Sequence, residues 1–131
     1  MALTKPDKIP CLLGMGESSG LVDWEQLDMV TFGYAPEFVE IYREFLEQTP
    51  HMLDAMEEAC QRGDVAAVSK CAHKLKGSAL NFGFAGVSAP MTALERETKD
   101  QGVLDRAAER ISLARANFEA GRAEVFAARA I

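Results

Sequence analysis

The feature that most constrains the fold of this chain is a helical repeat of apolar residues that runs from about residue 21 almost to the end. Apolar side chains recur there at three- and four-residue spacing, which places them on one face of an α-helix. The longest such stretch contains Phe38, Ile41, Tyr42, Phe45, Leu46, Met52, Leu53, Met56 and Cys60. No segment shows the Val, Ile and Thr alternation that is typical of a β-strand. The sequence therefore predicts an all-α protein.

The first part of the repeat predicts a short helix and then a long one. The short helix covers about Val22–Val30, and Pro36 opens the long one, because proline fits a first helical turn. Pro50 lies in the middle of the long helix. It either kinks one continuous helix or splits it in two, with Thr49 as the N-cap of the second piece. We favour the kink, since no turn-forming Gly or Asn accompanies the proline.

The second part of the repeat predicts three further long helices. Gly63 stops the preceding helix and Asp64 caps the next, which should run over about Val65–Phe82.

Ser88 is the expected N-cap of the following helix, with Pro90 in its first turn. Asp105 is the expected start of the last helix, which Gly121 should weaken near its end. Four long amphipathic helices with short connections predict an antiparallel up-and-down four-helix bundle, which the short N-terminal helix should cap.

The composition favours one bundle domain at residues 21–131, preceded by a flexible arm at residues 1–20 that is rich in Pro, Gly and Ser. A net charge of −6 argues against nucleic acid or an anionic membrane as the main partner. The three cysteines form no disulfide framework, and no apolar run approaches a membrane span. The odd number of cysteines at irregular spacing fits a reducing cytoplasm. We expect a monomer, because one bundle of this size can bury its own core.

His73 is the candidate for chemistry, since the chain has only two histidines. On a helical wheel His73 falls roughly 140° from the centre of the apolar face of its helix, so its imidazole should be exposed. The residues that share its face are Ser69, Lys70, Lys76 and Gly77, with Leu80 one turn further on. His51 lies beside Pro50 without any such neighbours, and we expect it to be structural or simply exposed.

These neighbours suit an imidazole that carries a phosphoryl group. A neutral imidazole nitrogen is a good nucleophile near pH 7, and nearby ammonium groups favour the neutral form. After phosphorylation the group carries nearly two negative charges, which lysines can stabilise. Gly77 costs about 1 kcal/mol in a helix interior relative to alanine. The missing side chain beside His73 would let the backbone of a partner protein come close.

The residues around His73 also carry a family resemblance. Residues 72–78 read Ala-His-Lys-Leu-Lys-Gly-Ser, and Gly83 follows six residues after Gly77. This run resembles the signature of histidine-containing phosphotransfer (HPt) domains. The upstream segment FGYAPEFVEIYREFLEQTPHMLDAMEEACQRGD and the dipeptide Leu94-Glu95 are also similar to that family. Phe84 is a departure, because a small residue is common there.

The resemblance implies a four-helix bundle in which His73 is the phosphoacceptor, Lys76 lies beside the phosphoryl group and Gly77 opens access. It implies receiver domains of response regulators, or a hybrid sensor histidine kinase, as partners. The chain has no Gly-rich nucleotide loop and no acidic magnesium site, so we expect a carrier without ATP-dependent kinase activity. We expect no cofactor on this chain and magnesium on the receiver partner. Ser69, Lys70 and Leu80 are further candidate contacts for the phosphoryl group or the partner.

Two other functions stay open on the sequence. The same bundle could bind receiver or kinase domains without carrying phosphate. A metal-binding bundle is disfavoured, because the chain lacks paired Glu-x-x-His motifs and because Cys71 and His73 diverge on their helix. The remaining polar residues have simpler expected roles. Lys74 points away from His73, Ser78 is structural, and residues 95–97 (Glu-Arg-Glu) form a solvated face.

Overall fold

A computed structural model, which describes residues 19–131, shows that the protein is an α-helical bundle. The helices are α1 (Trp24–Val30), α2 (Pro36–Gln61), α3 (Val65–Asn81), α4 (Ala85–Gln101) and α5 (Ala107–Arg129). The four long helices pack in chain order, and α5 closes the bundle against α2. Residues 19–131 contain no strand, which confirms the all-α prediction. None of the described helices is both long and apolar enough to cross a membrane.

The predicted start signals of α2 and α3 operate as expected, and α2 begins at Pro36. The Asp64 side chain caps α3 by accepting a hydrogen bond from the backbone N–H of Ala67 at 3.1 Å. Asp23 caps α1 in the same way, so α1 begins at Trp24, two residues later than predicted. The segment predicted as an arm ends within the described part, where the Ser19 hydroxyl donates to Glu124 of α5. Residues 1–18 lie outside the described residues.

Pro50 lies inside one continuous α2 helix, so the alternative of two separate helices is wrong. The Thr49 side chain is buried, and its hydroxyl donates to the carbonyl oxygen of Phe45 at 2.7 Å. That bond points back along the same helix, which is the opposite of an N-cap.

The start of α4 differs from the prediction. The helix begins at Ala85, so Ser88 lies in its first turns and is not the N-cap, and Pro90 lies inside the helix. A proline at position 90 leaves the carbonyl of Gly86 without its usual helical N–H donor. The side-chain amide of Asn117 in α5 donates to that carbonyl at 2.9 Å. Asn117 therefore replaces the backbone donor that proline lacks, so Pro90 is tolerated inside the helix.

The start of α5 was also predicted two residues early, since Ala107 and not Asp105 is its first residue. Gly121 does not end this helix, which continues to Arg129. A Cβ atom at Gly121 would lie 3.3 Å from the ring of Phe84. The glycine thus leaves room for Phe84, which is fully buried among the core aromatic rings of Tyr42, Phe45 and Phe118.

The short α1 helix closes the end of the bundle at which the histidine helix ends. The backbone N–H of Asp23 donates to the carbonyl of Gly83 at 2.6 Å, directly after α3. Gly83 has a φ of +74°, and a Cβ there would lie 2.4 Å from the carbonyl oxygen of Asp23. The Gln26 side chain also donates to the carbonyl of Asn81. Gly83 therefore ends α3 and admits the segment that precedes α1.

Candidate functional site

His73 lies near the middle of α3 with its side chain directed to solvent. The side chain is 67% exposed, whereas the neighbouring Ala72 and Leu75 are completely buried. The exposure predicted from the helical wheel is therefore confirmed. Because α3 is a regular helix packed on both sides, the position of the imidazole is set by rigid backbone.

Glu95 of α4 forms a hydrogen bond with the imidazole. Its Oε2 atom lies 2.7 Å from Nδ1 of His73, and its side chain is only 11% exposed. An ionised carboxylate can only accept hydrogen bonds, so Nδ1 is the nitrogen that carries the proton. In the neutral imidazole the lone pair then lies on Nε2, on the side of the ring away from Glu95. The prediction that Glu95 belongs to a solvated face is wrong.

Lys76 completes a chain of three side chains. Its Nζ atom donates to Oε1 of Glu95 at 2.7 Å, so one carboxylate bridges the ammonium group and the imidazole. The hydrogen bond from Lys76 is the largest effect on the pKa of Glu95 and lowers it; burial raises that pKa, and the contact with His73 lowers it again. The net direction is downward, so Glu95 is ionised near neutral pH and acts as an acceptor towards His73.

The predicted contact residues surround the imidazole on two sides. Gly77 is exposed, and a Cβ atom there would meet no other atom within 4 Å, so the surface beside His73 is open. Leu80, one turn further along α3, is 56% exposed. On the opposite side, Ser69 and Lys70 lie one turn before His73. The structure therefore brings together the site residues that the sequence pattern predicted.

An open hollow of about 340 Å³ lies on the Ser69 side of the imidazole. We call it the lysine hollow; its lining residues are Ala66, Ser69, Lys70, His73, Glu95 and Lys99. Lys99 was not predicted as a site residue. It lies one turn after Glu95 on α4, so it reaches the hollow only because α3 and α4 pack side by side in opposite directions.

Two site residues were thus missed from the sequence, and a signal existed for one of them. The family resemblance included the dipeptide Leu94-Glu95, which marks α4 as part of the pattern around His73. Glu97 is not a freely solvated side chain either, since it forms an ion pair with Arg110 of α5 at 2.5 Å. Lys74 is exposed away from the site, and Ser78 borders a groove between α2 and α3.

Comparison with known proteins identifies the family of this bundle. The Hpt domain family model matches residues 40–124, which is more than half of the chain and includes both His73 and Glu95. No curated protein and no solved structure gives a significant match to the chain. The all-helical fold is the bundle expected of an Hpt domain, and the short N-terminal helix is consistent with it. The chain belongs to the Hpt domain family.

Proposed function

We propose that this protein carries a phosphoryl group on Nε2 of His73, either between the aspartates of receiver domains or from a sensor histidine kinase to a response regulator. Membership of the Hpt family implies histidine phosphotransfer in two-component systems, by modules that carry phosphate and are not kinases. The observation that carries the assignment to His73 is its exposed imidazole, whose Nδ1 atom is bonded to the buried carboxylate of Glu95.

The chemistry of uptake follows from the tautomer that Glu95 selects. The lone pair of Nε2 attacks the phosphorus atom of an aspartyl phosphate, the Nε2–P bond forms, and the O–P bond to the aspartate breaks. The leaving carboxylate keeps the bonding electron pair. The proton on Nδ1 stays in place, so the phosphorylated ring is cationic and lies 2.7 Å from the anionic Glu95.

Transfer to the next receiver is the reverse sequence. An aspartate oxygen attacks phosphorus, the Nε2–P bond breaks, and its electron pair returns to the ring, which becomes a neutral imidazole again. Glu95 stabilises the cationic ring when phosphate is bound and orients the neutral ring when it is not. The protein thereby acts as a rigid scaffold that presents a nucleophile, while the receiver supplies the aspartate and its bound magnesium.

Access to Nε2 is the second requirement, and the surface around Gly77 supports it. The open space beside Gly77 lets the backbone of a receiver approach the imidazole. Leu80 on α3 and Met29 on α1 expose apolar side chains on the end of the bundle that α1 covers. We propose that these residues contact the receiver and that the exchange takes place in the cytoplasm.

The test is phosphoryl uptake from a panel of phosphorylated receiver domains in the presence of magnesium. His73→Gln should abolish labelling, whereas His51→Gln, which changes the other histidine, should leave it unchanged. The label on the wild type should be acid-labile and base-stable, as expected of phosphohistidine.

If several receivers bind the wild type but none labels it, the carrier proposal is wrong and the bundle is a binding module. Labelling that survives His73→Gln would place the phosphoryl group elsewhere. Metal analysis of the purified protein separately tests the alternative of a metal-binding bundle.

A further inference from the structure

The lysine hollow raises the question of which cations neutralise a phosphoryl group on His73. We propose that Lys70 and Lys99, assisted by the Ser69 hydroxyl, hold the phosphoryl oxygens, and that Lys76 is a positioning residue that acts through Glu95. This inference rests on the proposed phosphorylation of His73. It differs from the assignment of Lys76, by resemblance, as the residue beside the phosphoryl group.

Lys76 already has a partner in this structure. Its side chain is 27% exposed, and its Nζ atom lies 2.7 Å from Oε1 of Glu95. Moving Lys76 to the phosphoryl group would take its ammonium away from Oε1 of a carboxylate that is 11% exposed, and Glu95 would keep only its contact with the imidazole. Separating a largely buried charge from its partner is costly, so Lys76 is expected to stay with Glu95.

Lys70 and Lys99, in contrast, are available to bind a phosphoryl group. Within residues 19–131, neither lysine has a carboxylate within 4.0 Å, and both side chains are exposed. An exposed lysine reorients at little energetic cost, because its flexible stem leaves the ammonium in water until a partner arrives. Two such cations match the charge of nearly −2 that a phosphoryl group adds.

Ser69, Lys70 and Lys99 all lie on the same side of the imidazole. Lys70 precedes His73 by three residues and Ser69 precedes it by four, so both lie one turn from the imidazole. Lys99 follows Glu95 by four residues on the antiparallel α4 helix, which is one turn in the same direction in space. Lys76 lies one turn from His73 in the opposite direction. The imidazole therefore separates the hollow with two lysines from the lysine that is paired with Glu95.

The experiment loads the protein with phosphoramidate, a small donor that needs no docking surface, or with the best donor receiver, which is then removed. Nε2 attacks phosphorus, the P–N bond of phosphoramidate breaks, and the amine leaves as ammonia. The readout is the phosphorus NMR titration of the bound phosphoryl group, together with the rate of uptake. A cation in contact with the phosphoryl group lowers its second pKa, which a purely structural residue does not.

We expect Lys70→Ala and Lys99→Ala each to raise the titration midpoint of the phosphoryl group and to slow uptake about two- to five-fold, the size expected of an exposed ion pair. Lys74→Ala, which removes an exposed lysine of the same helix outside the hollow, should change neither quantity. Lys76→Ala should slow uptake without raising the midpoint, because its effect passes through Glu95.

The outcomes separate the two proposals. If neither donor phosphorylates the wild type, the phosphoryl-carrier function is wrong and this inference falls with it. If the wild type is phosphorylated but Lys70→Ala and Lys99→Ala behave like Lys74→Ala, only the role of the lysine hollow is wrong. A raised midpoint in Lys76→Ala alone would place the phosphoryl group on the opposite side of the imidazole.

Discussion

His73 lies at the seam between α3 and α4, His51 lies at the seam between α2 and α5, and both side chains are exposed. Nδ1 of His73 is hydrogen-bonded to Glu95, which is largely buried. His51 borders a hollow of about 440 Å³ that also contains Glu47, but it makes no side-chain hydrogen bond or ion pair with any residue in the described range. Exposure alone therefore does not distinguish the two histidines, whereas a buried carboxylate that selects one tautomer does.

The packing of the two seams explains why only one of them provides such a carboxylate. α3 and α4 pack together more extensively than α2 and α5. A close seam buries the stem of a glutamate from one helix beneath a residue of the other, so the carboxylate is held in one position. At the less extensively packed α2–α5 seam, the side chain of Glu47 remains exposed.

The largest expected effect comes from removing the carboxylate at the α3–α4 seam. Glu95→Ala should slow phosphoryl uptake about 10- to 100-fold, the usual effect of losing the residue that orients a functional histidine. The matched substitution at the other seam, Glu47→Ala, should leave the rate unchanged. Single-turnover uptake from one receiver domain measures both variants, and equal rates for the two would contradict the role assigned to Glu95.

A bulky side chain at the open surface beside His73 should affect transfer between proteins but not the chemistry itself. Gly77→Leu should slow uptake from receivers about ten-fold, because the space that a partner backbone needs is filled. Uptake from phosphoramidate should stay near the wild-type rate. Rates measured with both donors on the same protein sample give the comparison; an equal loss with both would mean that the glycine supports His73 and not the partner.

A small side chain at the same position should increase the stability of the protein. Gly77→Ala should raise the free energy of unfolding by about 1 kcal/mol, because alanine is favoured in a helix interior and a Cβ meets no atom there. Urea unfolding of the two proteins tests this value. A loss of stability would mean that the fold of α3 requires the glycine. The open surface beside His73 would then need no functional explanation.

The smallest expected effect concerns the pH dependence of the stability that Glu95 provides. Its pKa is lowered in the folded protein, chiefly by Lys76, so ionised Glu95 stabilises the fold above its unfolded pKa of about 4.3. This contribution disappears as the pH falls through the lower folded value. The free energy of unfolding of the wild type should exceed that of Glu95→Gln by about 1 kcal/mol at pH 7, and this advantage should shrink as the pH falls below about 4.3.

Urea unfolding at pH 7 and at a series of pH values below about 4.3 tests this sign, with Glu47→Gln as the control from the other seam. The control should show no comparable change across the series. A wild-type advantage that stayed constant across the series would mean that Glu95 stabilises the bundle by packing and not by its charge.

The error in the predicted start of α4 has a cause that lies outside the helix. Ser88 and Pro90 are favourable residues for a helix start, and the prediction followed that local preference. The helix begins earlier because Asn117, far along the chain, donates to the carbonyl that Pro90 leaves without its usual helical donor. Local rules place Asp64 correctly, since its cap involves only the next three residues.

The bundle, the exposure of His73 and the open surface beside Gly77 could all be predicted from the amino-acid sequence. All three follow from the spacing of apolar residues and from residue type along each helix. These patterns involve only neighbours three or four positions away in the sequence. Packing between helices brings Glu95 into contact with the imidazole and places Lys99 at the same hollow as Lys70. Those contacts depend on the rotation and stagger of α4 against α3, which are set by packing of the whole core and cannot be read from either helix.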